Sequence, residues 1–453
     1  MVKAAKKREI RATKFQSPDY MELGVSGLKQ SSGYIGEEFK TELQGERGVK
    51  VYQEMADSDA TCGAILYAIK LLLQSSSWSV EPANGEDDMD HGPDEYVEFV
   101  ISLMSDMSHT WSDLIGEALS CLEYGWSYFE VLPKRRGGPD HLDPAQRSAF
   151  SDGRIGIRKI SRRSQNSLER WEFDESGGIK GMWQRDPNYA RPTILLPIER
   201  CLLFRTRAEK NNPEGRSLLR NAYRSWWKMS RIEDYEAVGV ERELVGMPVV
   251  SMPAGLLTST DSADAAFVSK MTKIARDLKF NEQAGVVIPS DTFRNPDGTY
   301  SAVRMVSVEL LKSPGSRALD TDKVILRYQR GITRSVLADF LALGGEAKGS
   351  YALSKSKTEL FLKALEYLQG QIASVLNRYL LPRVWAWNGF PLDRMPYFCP
   401  GTVAPTDLQE LGAFIRDMAL AGAPMFPDPA LENQLRMAAG LPAVEAEGDE
   451  GDQ

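Results

Sequence analysis

A chain of 453 residues with 42% hydrophobic and 26% charged residues should form about two to four folded units with sizeable cores, which excludes a generally disordered protein. Its formal net charge of −8 leaves no surplus of positive charge, and this argues against tight, sequence-specific DNA binding. No apolar stretch suits a signal peptide or a membrane span, and the 4 cysteines form no CxxC pair, so the sequence predicts a soluble chain with reduced thiols.

The first half of the chain is predicted to alternate short helices with antiparallel strands. Residues 1–49 are rich in Gly, Ser and Lys and are interpreted as a loosely packed arm, with regular structure beginning near Val49. The N-cap of the first helix is expected at Asp57, Ser58 or Asp59. The elements expected after the arm are a helix from Asp57 to Leu73, a strand from Trp78 to Pro82, helices over 93–107 and 110–123, a strand from Trp126 to Leu132, and antiparallel strands over 154–204 with a glycine turn at 175–178.

The second half is predicted to contain long amphipathic helices around an α/β segment. A helix over 216–245 would carry an apolar stripe and, beside it, cations at four-residue spacing: Arg216, Arg220, Arg224 and Lys228. The second half of this helix turns acidic. The elements expected next are an α/β segment over 247–316 with a strand at 285–289 and a turn at 295–298, a helix over 320–343 bent around Arg330 and Gly331, a glycine-rich break over 344–353, a long helix over 354–387 that Pro382 kinks or ends, and short helices near 405–421 and 428–439 before an acidic tail.

No motif for catalysis, a cofactor or a metal is visible in the sequence. The histidines, His91, His109 and His141, form neither HExxH nor HxH. The segment 344–350 superficially resembles a phosphate loop, but it lacks the GxxxxGK[ST] spacing and follows a predicted helix rather than a strand. The pair Asp57 and Asp59 is better explained by helix capping than by metal binding. The sequence therefore predicts a protein that is not an enzyme and that needs no cofactor.

The order of several segments resembles that of tailed-phage portal proteins. The most specific piece, Asn212-Pro-Glu-Gly-Arg-Ser-Leu-Leu-Arg220, resembles the portal motif that leads into a stem helix. The other matching pieces are the helix and strand over 57–82, the block over 111–131 with Tyr124-Gly-Trp-Ser-Tyr-Phe-Glu130, and the glycine-rich break over 344–353 before a long helix. The resemblance covers roughly residues 50–400 and is strongest to portals of Mu-like phages and prophages.

The resemblance implies an α+β portal fold with an α/β wing, long stem helices, a small α/β clip, a tunnel loop and a helical crown. It assigns the regions as follows: arm 1–49, wing 50–215, first stem helix 216–246, clip 247–319, second stem helix 320–343, tunnel loop 344–353, long wing helix with its following loop 354–400, and crown with acidic tail 401–453.

The resemblance also implies a function and partners. Portal subunits form a homo-oligomeric ring, usually a dodecamer, at one capsid vertex of the virion, and the ring is assembled in the host cytoplasm. Double-stranded DNA enters and leaves the head through the ring. The expected protein partners are the large subunit of the terminase motor, the major capsid protein and head–tail connector or adaptor proteins, with no membrane. An acidic or mixed surface suits a passage through which DNA slides.

Two groups of residues are candidates for this function. The tunnel-loop group would give DNA a weak, sequence-blind contact, although ordinary surface lysines would look the same; its members are Gly344, Gly345, Lys348, Gly349, Lys355 and Lys357. The stem cations could pair with the acidic half of a neighbouring copy, or they could lie on an amphipathic helix of a monomer. Another structural phage protein, such as a coat or connector protein, and an enzyme acting on nucleic acid also stay open.

Overall fold

The structure, a computed structural model, describes residues 24–83, 94–186, 188, 190, 192–245, 247–279, 288–311, 321–338, 351–403, 408–420, 432 and 436. The chain divides into two compact units: the first comprises Met1–Arg220 and Leu343–Gln453, and the second comprises Asn221–Ala342. Both units mix helices with antiparallel strands, which confirms the predicted α+β class. No helix within the ranges given above is long and apolar enough to cross a membrane.

Short polar side chains cap the N-termini of several helices. The helices are α1 (Gly45–Ser58), α2 (Ala60–Ser75), α3 (Glu95–Ser105), α4 (Trp111–Ala118), α5 (Ser120–Tyr124), α6 (Tyr223–Val245), α7 (Ala254–Thr258), α8 (Ser262–Lys279), α9 (Thr321–Ser335), α10 (Tyr351–Val375), α11 (Leu381–Asn388) and α12 (Leu408–Leu420). Of the three candidate caps at 57–59, Asp59 is the one used: its carboxylate accepts the Cys62 amide at 2.7 Å. Thr110 and Asp113 form a capping box at the start of α4.

The strands pair in small antiparallel sheets of two or three strands. They are β1 (Gln30–Ser31), β2 (Tyr34–Ile35), β3 (Trp78–Glu81), β4 (Trp126–Arg135), β5 (Ile155–Arg163), β6 (Leu168–Phe173), β7 (Ile179–Gln184), β8 (Ile194–Pro197), β9 (Cys201–Arg205), β10 (Met247–Ser251), β11 (Thr292–Arg294), β12 (Tyr300–Arg304), β13 (Ser307–Leu311) and β14 (Tyr397–Pro400). The sheet orders in the first unit are β1-β2, β5-β4-β9, β6-β7-β8 and β14-β3. Trp126 and Tyr128 of β4 pack against Trp171 of β6, so the core of this unit joins its two larger sheets.

The arm prediction is wrong for residues 24–49. This segment contains the β1-β2 pair and a 3-10 turn at Thr41–Leu43, and α1 already begins at Gly45. The carbonyl of Gly33 accepts the Trp171 amide at 3.0 Å, and Leu43 is buried. The segment is therefore packed on the first unit through contacts that no local pattern announces. Residues 1–23 lie outside the described ranges.

The long helix begins earlier than predicted, at Tyr351 rather than at 354, and its run ends at Asn388, next to the predicted residue 387. Pro382 does not end it but lies inside the continuous helical run. A π-helical turn at Leu376–Leu380 separates α10 from α11. Proline has no N–H to offer the carbonyl four residues earlier and its ring crowds that carbonyl, and a local π-turn accommodates both defects without ending the helix.

Two asparagine side chains attach this helical run to strand edges. Asn377 donates to the Phe398 carbonyl at 2.9 Å and accepts the Phe398 amide at 2.8 Å. Asn388 makes the same pair with Ile155, at 2.9 Å and 2.7 Å. Each carboxamide thus takes the place of a neighbouring strand, and the backbone groups at the edges of β14 and β5 are satisfied.

The second unit contains a helix pair and a small α/β part. Helix α6 packs against α9, and Gly331 faces Ser225, where a Cβ on residue 331 would come within 2.7 Å of the Ser225 hydroxyl. The bend expected at Gly331 is absent, because α9 runs unbroken from Thr321 to Ser335; the glycine permits close helix packing instead. Helix α9 ends at Ser335, earlier than the predicted residue 343.

The α/β part places α8 beside the pair β10-β13, with a core of Met271, Ile274 and Val306. Strands β11 and β12 form a hairpin whose turn is the predicted Asn295–Gly298 segment. Of the strand predicted at 285–289, the residues that the structure describes, Ile288 and Pro289, are not in a strand. Helix α12 confirms the helix expected near 405–421, and the helix near 428–439 falls outside the described residues except Glu432 and Arg436, which are helical.

Candidate functional site

Two of the sequence motifs quoted above meet at a pair of glycines in the first unit. Gly125 follows α5 with φ +93, and Gly215 lies in the loop after β9 with φ +54. Thr206 joins them: its amide donates to the Gly125 carbonyl at 2.9 Å, and its carbonyl accepts the Arg216 amide at 2.8 Å. The Thr206 hydroxyl also donates to the Arg216 carbonyl at 2.6 Å. The block over 111–131 and the motif over 212–220 therefore form one structural feature, here called the glycine junction (Gly125, Thr206 and Gly215).

Both glycines are required by space as well as by backbone angle. A Cβ on Gly125 would approach the Glu214 carbonyl oxygen to less than 3.0 Å, and one on Gly215 would approach the carbonyl oxygens of Gly125 and Thr206 to less than 3.0 Å. The obstructing atoms are backbone atoms that cannot rotate away. This explains why the motif contains glycine at these positions.

Glu214 lies beside the junction in an environment that disfavours its charge. Its carboxylate accepts the indole N–H of Trp171 at 3.3 Å, and burial raises the pKa of Glu214 to about 7. It lines a cavity of about 250 Å³ that also contains several cations; these are Arg207, Lys210, Arg216 and Arg220. The sequence did not identify Glu214 as a titrating group, because its burial depends on Trp171, a residue of β6 that lies 43 positions away in the chain.

We expect Glu214→Gln to change how stability depends on pH. The folded-state pKa is raised, so the folded protein binds the proton more tightly than the unfolded chain, and stability falls as pH rises from the ordinary value of 4.5 to about 7. At pH 8 the glutamine variant should be more stable than the wild type by roughly 1–3 kcal/mol, and at pH 4 the two should be equal. Urea denaturation across this range measures the effect. The exposed Glu209→Gln is the control, and a difference between Glu214→Gln and wild type that does not vary with pH would contradict the assignment.

The four cations predicted to share one helix do not share it. Helix α6 begins at Tyr223 rather than at Arg216, so Arg216 and Arg220 precede it, and Arg224 and Lys228 lie in its first two turns. The Arg220 guanidinium forms a two-point ion pair with Glu38, with Nη2 to Oε1 at 2.8 Å, and lies 5.1 Å over the Phe39 ring. Burial acts to raise the pKa of Glu38, but hydrogen bonds from Arg220 and from the Lys40 amide hold it below its ordinary value. Arg220 therefore anchors residues 38–39.

The tunnel-loop candidates lie mostly outside the described residues. Gly344, Gly345, Lys348 and Gly349 are among these. Lys355 belongs to the first turns of α10, and Lys357 is a half-buried residue of the same helix. The last three residues of the predicted loop, 351–353, are helical and belong to α10.

A buried ionic cluster in the first unit was not predicted. Asp106, Lys134 and Arg136 are only 8%, 8% and 2% exposed. Asp106 contacts the Lys134 ammonium at 3.1 Å and accepts the Ser148 hydroxyl at 2.7 Å and the Ala149 amide at 3.0 Å. The Arg136 guanidinium lies between two phenylalanine rings at 4.6 Å from each; these are Phe99 and Phe150. The cluster attaches the loop over 137–153 to the end of α3 and to β4.

The buried thiols behave as small apolar side chains. Cys62, Cys121 and Cys201 are buried and Cys399 is half-buried, and none forms a disulfide. Burial raises the pKa of Cys121 to about 12 and that of Cys201 to about 11, so both stay protonated at neutral pH. Within the part of the chain that the structure describes, no group of three or more His, Cys, Asp or Glu side chains is placed to hold a metal ion.

The chain is an α+β unit interrupted in sequence by two helices, α6 and α9, that flank a small α/β part, which is the element order that the resemblance to portal proteins implies. The chain belongs to the family described as the portal protein of Mu bacteriophage, whose model matches residues 49–436. It is therefore a portal protein, with the head–tail connector role of that family. This match selects the portal over the coat-protein alternative that the sequence had left open.

The solved structures that the chain is similar to have little sequence in common with it. The neck of a native gene transfer agent particle, computed with C12 symmetry, contains a chain that is 10% identical, with 88% of this chain and 95% of that one covered and a TM-score of 0.50. The virion of the same kind of particle gives 10% identity, 87% and 94% coverage and a TM-score of 0.48. An HK97 family phage portal protein from Corynebacterium diphtheriae gives 10% identity, 77% and 94% coverage and a TM-score of 0.41.

Proposed function

We propose that copies of this chain assemble into a closed ring of twelve at one vertex of a phage capsid, and that double-stranded DNA is packaged and ejected through its centre. The observation that carries the proposal is the family match over residues 49–436. The C12 symmetry used for the gene transfer agent neck supports the copy number. The ring would be a non-enzymatic part of the virion, assembled in the host cytoplasm without a cofactor.

The regions and partners follow the family. Residues 50–215 and 354–400 would be wing, 216–246 and 320–343 the stem helices, 247–319 the clip and 401–453 the crown with its tail. The clip would dock the large subunit of the terminase motor during packaging and the head–tail connector or adaptor proteins afterwards. The outer surface of the ring would contact the major capsid protein.

Helix α6 has the charge pattern that a ring contact needs. Its first half exposes the cations Arg224 and Arg231, and the acidic residues Glu233 and Asp234 follow directly. Arg231 and Asp234 lie 3.9 Å apart as an exposed pair within the helix, so a ring contact would exchange this pair for one between neighbours. Trp227 and Tyr235 are exposed large aromatic side chains on the same helix. A head-to-tail ring uses two different surfaces of each copy, so opposite charges on one helix can pair between neighbours, with the aromatic side chains buried at the contact.

The mass and symmetry of the purified protein test the proposal. Light scattering and negative-stain class averages should give closed rings of twelve copies with a central hole. A population that stays monomeric or dimeric at every concentration, including in the presence of the capsid protein, would overturn the ring.

We expect the loop over 344–350 to affect DNA packaging and retention but not ring assembly. We expect the double variant Lys348→Ala, Gly344→Pro to form normal rings but to package or retain less DNA, because a lysine repeated around a ring supplies a weak phosphate contact and proline stiffens the loop. The amount of nuclease-protected DNA per particle measures this. Lys180→Ala, which removes an exposed lysine of β7, is the control; normal packaging in the double variant would remove the loop's role.

A further inference from the structure

The β11-β12 hairpin exposes a cationic, aromatic surface. The hairpin forms a two-stranded sheet of its own, and nearly every side chain on it is exposed. One face carries the hairpin patch, defined as Arg294, Tyr300 and Arg304: Tyr300 is 71% exposed, and the Arg294 guanidinium lies 5.4 Å from its ring centre. An isolated two-stranded hairpin is marginally stable in water, so such a surface is best explained by a contact with another molecule.

Neither arginine of the patch has a carboxylate partner among the described residues. No ion pair joins Arg294 or Arg304 to an acidic side chain there, and the neighbouring Asp297 uses Oδ1 to accept the amide of Thr299 at 3.0 Å and its hydroxyl at 2.6 Å within the turn. Tyrosine and arginine are among the residue types most enriched where protein surfaces bind tightly. The patch therefore has the composition of a contact surface for an acidic partner.

The same unit carries a surface of the opposite sign. The acidic shelf is defined as Leu257, Asp261 and Asp264, at the end of α7 and the start of α8. Leu257 is 60% exposed. Asp261 uses Oδ1 to accept the Ala263 amide at 3.1 Å, which leaves Oδ2 for another donor. Within the described ranges neither aspartate forms an ion pair with a lysine or arginine.

A ring needs two such complementary surfaces. A head-to-tail contact joins one surface of a copy to a different surface of the next, and it closes when this repeats around an axis. The hairpin patch and the acidic shelf each combine one exposed large hydrophobic or aromatic side chain with two charges of a single sign, and the signs are opposite. Both lie in the second unit, so one interface between neighbouring second units can use both.

We propose that, in the ring, the hairpin patch of one copy contacts the acidic shelf of the next copy. The inference rests on the proposed ring and names a second contact in addition to the stem helices. Arg294 and Arg304 pair with Asp261 and Asp264 of the neighbour, and Tyr300 packs on its Leu257.

A charge-swap experiment tests this contact. Arg294→Glu with Arg304→Glu, and separately Asp261→Arg with Asp264→Arg, should each reduce the fraction of chain in rings about tenfold at micromolar concentration, since each puts like charges face to face. The quadruple variant restores opposite signs and should recover rings. The matched control is Lys270→Glu with Lys273→Glu, which reverses two exposed lysines of α8 outside both surfaces and should assemble like the wild type. Native mass spectrometry gives the ring fraction.

A cross-linking measurement covers the case in which the charge variants fail to fold. Tyr300→Cys with Leu257→Cys, treated with a short bis-maleimide, should give a covalent ladder of oligomers, and either single variant should give none beyond the wild-type background. Reversal variants that assemble like the wild type, or a double-cysteine variant without a ladder in intact rings, would overturn the contact and leave the ring standing. A wild-type chain that never forms rings would overturn the proposed function itself.

Discussion

Asp106→Ala should lower the free energy of unfolding of the first unit by about 3–5 kcal/mol, because it leaves two buried cations without their shared carboxylate. The Lys134 ammonium would lose its 3.1 Å contact, and the Arg136 Nε, 3.7 Å from Asp106, has no hydrogen-bond partner of its own. The Ser148 hydroxyl and the Ala149 amide would lose their acceptor as well. Urea denaturation followed by tryptophan fluorescence measures the loss.

Asp152→Ala is the matched control for this prediction. Asp152 also pairs with Arg136, at 3.2 Å, but its side chain is 33% exposed, so water can replace it. Its removal should cost about 1 kcal/mol or less, as expected of a solvent-screened pair. Equal losses in the two variants would show that burial does not determine the energetics of this cluster.

Gly215→Ala should lower the free energy of unfolding by about 2–4 kcal/mol, and Gly125→Ala by a similar amount, since each combines an unfavourable positive φ with a clash against backbone carbonyls. The two losses should not add in the double variant, because the residues share one contact surface. Thermal and urea denaturation of both single variants and of the double variant measure these values.

Gly177→Ala separates the cost of the positive φ from the cost of the clash with backbone carbonyls. Gly177 has φ +82, but a Cβ placed on it would meet nothing within 4 Å. The free energy of unfolding should then fall only by the cost of the positive φ, about 1 kcal/mol. If Gly215→Ala costs no more than Gly177→Ala, the close packing of the glycine junction contributes nothing to stability.

Helix caps and turns could be predicted from the sequence, because their hydrogen bonds join residues that are close together in the chain. The cap at Asp59, the capping box at Thr110 and Asp113, and the glycine turn after Phe173 all use residues within a few positions of each other. The start of α6 could not be predicted in this way. Its apolar and cationic spacing extends back to Arg216, but Arg220 is drawn into an ion pair with Glu38, which is 182 positions away in the chain.

In the candidate site, too, the local motif could be predicted and the long-range contacts could not. The motif over 212–220 could be recognised as a family signature, but nothing local says that Gly215 faces Gly125, or that Glu214 lies against Trp171. The buried cluster of Asp106, Lys134 and Arg136 looks like ordinary surface charge in the sequence, because burial of charged groups depends on tertiary packing.

The carboxamides of Asn377 and Asn388 give the long helical run a fixed register against two strands, similar to the register between paired strands. A helix packed only through apolar side chains can slide along its axis by small steps, since such contacts are not directional. Here each asparagine exchanges two hydrogen bonds with one particular residue of a strand edge, Phe398 or Ile155. A shift of one residue would break both pairs at once. The four hydrogen bonds therefore hold the run from Tyr351 to Asn388 at one axial position relative to β14 and β5.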